Sequence, residues 1–144
     1  MELADALTLA RANREMVLTT IRSNGMPQLS NVLAAVDTRG DIRVSTTADR
    51  AKFKNLARRP WAALHVNGEN FFSYAVLEGD VELSEVAQRP DDAAVDELVE
   101  LYRSLMGAEH DDWDDYRRAM VADRRAVVRI HPTRAYGMAR LPRE

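Results

Sequence analysis

Short turn signals punctuate the chain so regularly that neighbouring segments have little choice but to pair as antiparallel strands. Ser23-Asn24-Gly25, Thr38-Arg39-Gly40-Asp41 and Asn67-Gly68 each separate runs of apolar and β-branched residues, which is the pattern of hairpins. Met16 to Ile21 and Gln28 to Val36 flank the first turn, and Ile42, Val44 and Thr46 alternate with Arg43 and Ser45 after the second, completing a three-stranded meander. Trp61 to Val66 and Phe71 to Leu83 form another hairpin, and Ala126 to Ile130 supplies a last strand that resumes near Tyr136. Helical spacing marks Leu3 to Ala12 through Leu3, Ala6, Leu7 and Ala10. It marks Asp49 to Arg59 through Phe53, Leu56 and Ala57, with Pro60 as a stop. Two acidic-capped helices follow, Asp91 to Met106 and Asp112 to Arg124. No repeat, linker or low-complexity stretch interrupts residues 1–144, so the whole reads as one domain. Strands in consecutive hairpins with helices inserted at two points predict a closed or nearly closed antiparallel barrel, or else a two-layer α+β sandwich.

Composition removes several chemistries. The chain has no cysteine, which excludes disulfides, thiolate nucleophiles, iron–sulfur clusters and thiolate zinc sites. No segment approaches the ~20 consecutive apolar residues of a membrane span, and the N-terminus carries charges where a signal peptide is apolar. A cytoplasmic protein without membrane association is expected. The net charge of −3 hides an uneven distribution: Glu78 to Asp115 holds 14 acidic residues against Arg89 and Arg103, leaving 18 basic and 9 acidic residues elsewhere. The basic remainder fits a small anionic ligand better than a nucleic acid. Lys52 and Lys54 are the only lysines.

The passage from strand to helix at Ser45-Thr46-Thr47-Ala48-Asp49-Arg50-Ala51-Lys52-Phe53-Lys54-Asn55 is the most informative segment. A helix N-terminus carries partial positive charge and favours acidic side chains. Here Arg50 and Lys52 occupy that end, with Asp49 as the expected cap. Cations beside a row of hydroxyls make sense if a phosphate fills the gap; a solvated basic helix whose charges do nothing has the same sequence. A second candidate is Gln28, Ser30 and Asn31, polar residues interrupting a strand suited to burial. They suit the edge of a planar heterocycle, and equally the polar face of an ordinary hairpin.

Other motifs are weak. His65, His110 and His131 lack the short spacings of helical metal ligands, so no metal is expected, and His65 reads as a core residue. The carboxylates Asp111, Asp112, Asp114 and Asp115 lack the glycine and terminal glutamate of a calcium loop. Hydrolase-elbow, phosphate-binding Gly-Lys and Rossmann fingerprints are missing from the sequence.

Gly25 to Val32 (GMPQLSNV), Thr47 to Pro60 (TADRAKFKNLARRP), Ser73 to Leu83 (SYAVLEGDVEL) and Asp111 to Arg125 (DDWDDYRRAMVADRR), taken in order, resemble the pyridoxamine-phosphate-oxidase-like split-barrel superfamily. The similarity is greatest to its actinobacterial branch that uses the deazaflavin coenzyme F420, and the Arg-rich composition fits a GC-rich actinobacterial genome. The resemblance implies a mainly β fold, a six-stranded antiparallel split β-barrel with flanking α-helices. It implies that Ser45, Thr46, Arg50 and Lys52 hold the cofactor phosphate, with Asn55 near by. Gln28, Leu29, Ser30 and Asn31 would flank the ribityl chain and ring. It further implies a homodimer with cofactors at the subunit interface, Phe72 and Tyr74 approaching the ring from the second chain. The expected activity is F420-dependent hydride transfer to a small conjugated substrate. A flavin mononucleotide (FMN) oxidase or reductase and a non-catalytic cofactor carrier are the alternatives. The sequence departs from the pyridoxamine phosphate oxidases after Tyr136-Gly137-Met138, where Arg140-Leu141-Pro142 replaces their Arg- and His-bearing substrate motif; oxidation of pyridoxamine phosphate is not expected.

Overall fold

The computed structural model describes residues 1–139; Arg140-Leu141-Pro142 lie outside them. Its elements run α1 (Leu3–Ala12), β1 (Glu15–Ile21), β2 (Pro27–Val36), β3 (Ile42–Thr47), α2 (Ala51–Arg58), β4 (Trp61–Asn67), β5 (Tyr74–Leu83), α3 (Ala93–Met106), α4 (Trp113–Ala122) and β6 (Arg125–Met138). The strands close into an antiparallel barrel in the order β1-β2-β3-β6-β5-β4, with β4 returning to pair with β1. The expected barrel is observed, and the two-layer sandwich is not.

Period two decides what faces inward. Met16, Leu18 and Thr20 of β1 and Ile42, Val44 and Thr46 of β3 are buried, while Arg43, Ser45 and Thr47 take the other face. At the β1–β2 turn, Gly25 has φ 85°, a conformation that costs glycine nothing. Two helices stop the barrel's ends. Leu7 of α1 lies against Gly40 in the β2–β3 turn while Ala6 and Ala10 join the core, and α2 follows the far end of β3 and adds Leu56.

The wall between β2 and β3 is laddered over a short length only, Ala34 to Val36 against Ile42 to Val44. Beyond Val44 the strands part, and β3 keeps pairing on its other edge with β6, Ser45 opposite Val127 and Thr47 opposite Arg125. The barrel is therefore split there. Helix α2 packs on β1 and β3 next to this opening.

Two expectations need correction. β6 is one continuous strand rather than two pieces, because the break expected after Ile130 is absorbed by a bulge: Glu78 pairs with Arg134 but Gly79 with Pro132, leaving Thr133 as the extra residue. A bulge tolerates proline, which has no N–H to donate to a ladder. The strand expected from Phe71 begins only at Tyr74, because Asn70 Oδ1 accepts from the Phe72 and Ser73 amides and holds the connection in a turn.

Helices α3 and α4 build a second small core outside the barrel from Val95, Leu98, Val99, Met120 and Val127. Asp92 caps α3 by accepting from Val95 N at 2.9 Å, and Asp112 caps α4 by accepting from Asp115 N at 3.1 Å. Glu97 ties α3 to the barrel. It accepts from Arg43 Nε at 3.1 Å and from Arg129 Nε at 2.7 Å, two residues that face each other across β3 and β6. Burial alone would raise the Glu97 carboxyl; hydrogen bonds and charge from Arg129, then Arg43, outweigh it and hold the carboxyl below its ordinary range. A depressed carboxylate contributes stability above its unfolded pKa and loses it as pH falls through the folded value. Glu97→Gln should therefore cost about 2 kcal/mol at neutral pH, between the values for exposed and buried pairs, and lower the thermal midpoint by about 6 °C. Calorimetry as a function of pH checks this: the gap between variant and parent should close as pH falls below that of an ordinary glutamate, and a constant gap would assign the loss to packing instead.

Candidate functional site

The split between β2 and β3 gathers the cationic residues of the strand-to-helix segment. Lys52, in the first turn of α2, donates from Nζ to Ser30 Oγ on β2 at 3.1 Å. Arg125, the first residue of β6, donates from Nη1 to Ser45 Oγ on β3 at 3.2 Å. Arg50 stands at the N-terminus of α2, exposed. Burial, then the charges of Arg50 and Arg125, push the Lys52 ammonium below its ordinary range, which places three cations within electrostatic reach. Among the described residues, neither Lys52 nor Arg50 has a carboxylate at ion-pair distance. Two hydroxyls and three cations beside the amides of a helix start form a donor set for an oxyanion.

The other sequence candidates divide between this site and its surroundings. Ser45 lies on the outer face of β3, whereas Thr46 turns into the barrel, 2% exposed, with an Oγ1 that has no hydrogen-bond partner among the described residues. Asp49 does not cap α2: the cap position is Arg50, without a side-chain cap, and the Asp49 carboxylate accepts instead from Thr47 Oγ1 at 2.5 Å. That hydrogen bond is also the chief cause that lowers the Asp49 carboxyl. Asn55 is buried and committed to the fold. Its Nδ2 donates to Thr20 Oγ1 at 3.0 Å and to Gln28 Oε1 at 2.9 Å, and its Oδ1 accepts from Arg58 Nη2 at 3.0 Å. Arg58 also donates to the Ile21 carbonyl, so this amide knot locks α2 onto β1 and β2 and sets the position of Lys52 one turn earlier.

β2 shows opposite faces to the site. Gln28 and Ser30 turn towards α2, while Leu29 and Asn31 point outward. The outward row runs across the sheet by register: Asn31 beside Val17, Val17 beside His65, His65 beside Val76, and Val76 beside Tyr136. His65 is thus on this outer face and not in the core as expected, stacked on Tyr74 with ring centroids 5.3 Å apart. Exposed apolar side chains continue the surface: Leu29 is 61% exposed, and Met26, Leu33, Tyr136 and Met138 are exposed as well. Phe71 and Phe72, in the β4–β5 connection, are exposed and meet edge to face.

Arg125 was not legible as a site residue. It lies far along the chain from Ser45, and only the β3–β6 register brings them together. No helix among the described residues is long and apolar enough to cross a membrane.

Comparison with known proteins agrees with this architecture. The chain is similar to the conserved hypothetical protein Rv2991 from Mycobacterium tuberculosis, with a TM-score of 0.71 and 23% identity over 94% of this chain and 82% of that one. A protein described as an F420 reductase matches with a TM-score of 0.66 and 25% identity over 90% of this chain and 94% of that one. An FMN-binding protein from Nostoc punctiforme related to pyridoxamine 5'-phosphate oxidase shares the fold with a TM-score of 0.60 and 17% identity, over 92% of this chain and 79% of that one. Residues 4–139 match the family model for pyridoxamine 5'-phosphate oxidase, and the chain belongs to that family.

Proposed function

We propose that this protein is an F420-dependent oxidoreductase that works as a homodimer and binds the cofactor phosphate in the split between β2 and β3. The observation that carries the reading is the cluster of Arg50, Lys52 and Arg125 with Ser30 and Ser45, cationic and without carboxylate partners at Lys52 and Arg50. Gathering like charges around a half-buried lysine is costly unless an anion offsets them. Membership of a flavin-binding oxidoreductase family supports a flavin-type cofactor, and the similarity to an F420 reductase supports the deazaflavin. Such a cofactor supplies hydride at C5 when bound.

The chain's own residues bind and orient. Lys52 and Arg50 hold the phosphate, with Ser30 and Ser45 as hydroxyl donors. The Asn55 knot keeps α2 in register with β2. The outward face bearing Leu29, Asn31, His65, Tyr74 and Tyr136 meets a second copy of the chain, which excludes water from the ring and brings Phe72 and Tyr74 towards it. An exposed apolar surface of this extent is more than scattered single residues, and a twofold contact would make it self-complementary.

Single-turnover oxidation of bound reduced F420 by a panel of enones and imines tests the activity. Oxidation dependent on both protein and substrate is expected. Tight binding with no oxidation by any member would make the protein a carrier, and tighter binding of FMN at every salt concentration would make it a flavin enzyme.

A further inference from the structure

The outer face of the sheet carries a groove of about 440 Å³ to which the phosphate cluster contributes no side chain, within the size range of small-molecule sites. Register puts its walls on three neighbouring strands. Glu15 lies opposite Leu33 and Val17 opposite Asn31 across β1 and β2, Val17 lies opposite His65 across β1 and β4, and Asn67 follows two residues on. Val17 and Leu33 give the groove its apolar part. The His65 imidazole is held by its face, stacked on Tyr74 at an interplanar angle of 11°. Among the described residues its ring nitrogens have no hydrogen-bond partner. Apart from this imidazole, Glu15 is the only ionisable side chain of the wall, and it has no cation at ion-pair distance among the described residues. Arg14, next along the chain, is turned to the Leu105 carbonyl. The groove is also joined to the split. From Pro27 to Leu33 β2 has no ladder partner on its β3 side, so Ser30, turned to Lys52, and Asn31, in the wall of the groove, are separated only by an open strand edge.

We propose that this groove binds a small planar carbonyl compound without negative charge, in which His65 donates a hydrogen bond to the carbonyl oxygen and Glu15 repels anions. In the proposed activity, on which this rests for its biological meaning, that compound is the conjugated substrate. A neutral imidazole carries one N–H, and with neither nitrogen committed to the fold either can take the donor role. The planar body of the ligand lies against Val17 and Leu33, and the amides of Asn31 and Asn67 serve its polar rim. An anion would meet a carboxylate that no cation of the wall offsets, so phosphorylated and carboxylated substrates are disfavoured.

Coumarin and coumarin-3-carboxylate, planar conjugated lactones without and with a negative charge, test the groove on the full chain with no cofactor added. Calorimetric titration reads affinity, and the ring-nitrogen resonances of His65 read contact. Coumarin should move those resonances and bind the parent protein about fivefold more tightly than its carboxylate does. His65→Phe keeps a ring for Tyr74 to stack on. It should weaken coumarin binding about fivefold, the contribution of one neutral hydrogen bond, with an unchanged thermal midpoint. Glu15→Gln should raise the affinity of the carboxylate towards that of coumarin and leave coumarin unaffected. Coumarin that leaves the His65 resonances unmoved, or that binds parent and His65→Phe alike, would overturn the proposal, as would a carboxylate bound by the parent as tightly as coumarin. A marked fall in the thermal midpoint of His65→Phe would give His65 a structural role and overturn it as well. The expected coumarin results, together with no oxidation of bound reduced F420 by any substrate, would uphold the groove and count against the proposed activity alone.

Discussion

Lys52→Ala should weaken binding of the phosphorylated cofactor by tenfold or more, and Arg50→Ala should do so by a similar factor. A hydrogen bond to a charged group typically contributes about 1.5–3 kcal/mol, and 1.4 kcal/mol is already about a factor of ten. Lys52 is half-buried, held by Ser30 and flanked by two other cations, so an anion there gains a partly desolvated partner whose charge is poorly offset by the protein. Lys54, two residues on, is exposed, and Lys54→Ala should change affinity little. Titration by deazaflavin fluorescence reads all three; unchanged affinity in both Lys52→Ala and Arg50→Ala would contradict the site. The sign of the pH effect is fixed as well. Because the unliganded fold disfavours the Lys52 ammonium, deprotonation relieves a cost, and unliganded stability should gain as pH rises through the lowered lysine value. Cofactor affinity should fall over the same range, since the neutral amine no longer attracts phosphate.

Gly79→Ala should destabilise the barrel by about 3 kcal/mol or more, at or beyond the upper end for overpacking. A Cβ at residue 79 would stand 2.0 Å from the His131 carbonyl oxygen, 2.6 Å from its carbon and 2.8 Å from Pro132 Cα. All three are backbone atoms of β6, held at the bulge where β5 and β6 shift register, so no side-chain rotation can relieve the contact. β5 also pairs on its other edge with β4, Gly79 opposite Ala62, which prevents it from simply backing away. The midpoint of urea unfolding should fall with little change in the slope. A midpoint equal to that of the parent would show that the β5–β6 bulge relaxes freely.

Much of this architecture was legible because hairpin turns and period-two alternation are local. Leu3–Ala12 was readable from four apolar positions, and the meander through Thr46 from its turns. The break expected after Ile130 does not occur, because Pro132 lies opposite Gly79 at a bulge, a register that the segment's own sequence does not reveal. Asp49 was expected to cap α2 on the strength of its position, but the Thr47 hydroxyl two residues earlier takes its carboxylate. Gln28, Leu29, Ser30 and Asn31 do not share one face of their strand. Period two sends alternate members to α2 and to the outer face, a consequence already contained in the strand assignment. The structural role of Asn55 and the place of Arg125 were illegible for a different reason. What they do depends on Thr20, Gln28 and Ser45, brought near by tertiary packing and strand register that no local pattern encodes.

On the proposed reading, each subunit of a dimer holds a phosphorylated deazaflavin in its β2–β3 split. Native mass spectrometry of the protein offered F420 and FMN together reads cofactor identity and subunit count in one spectrum. A dimer carrying two molecules of F420 is expected, with loss of the cofactor but not of the dimer in the Arg50→Ala, Lys52→Ala double variant. A monomer that binds neither cofactor, or a double variant that retains F420 in full, would contradict it.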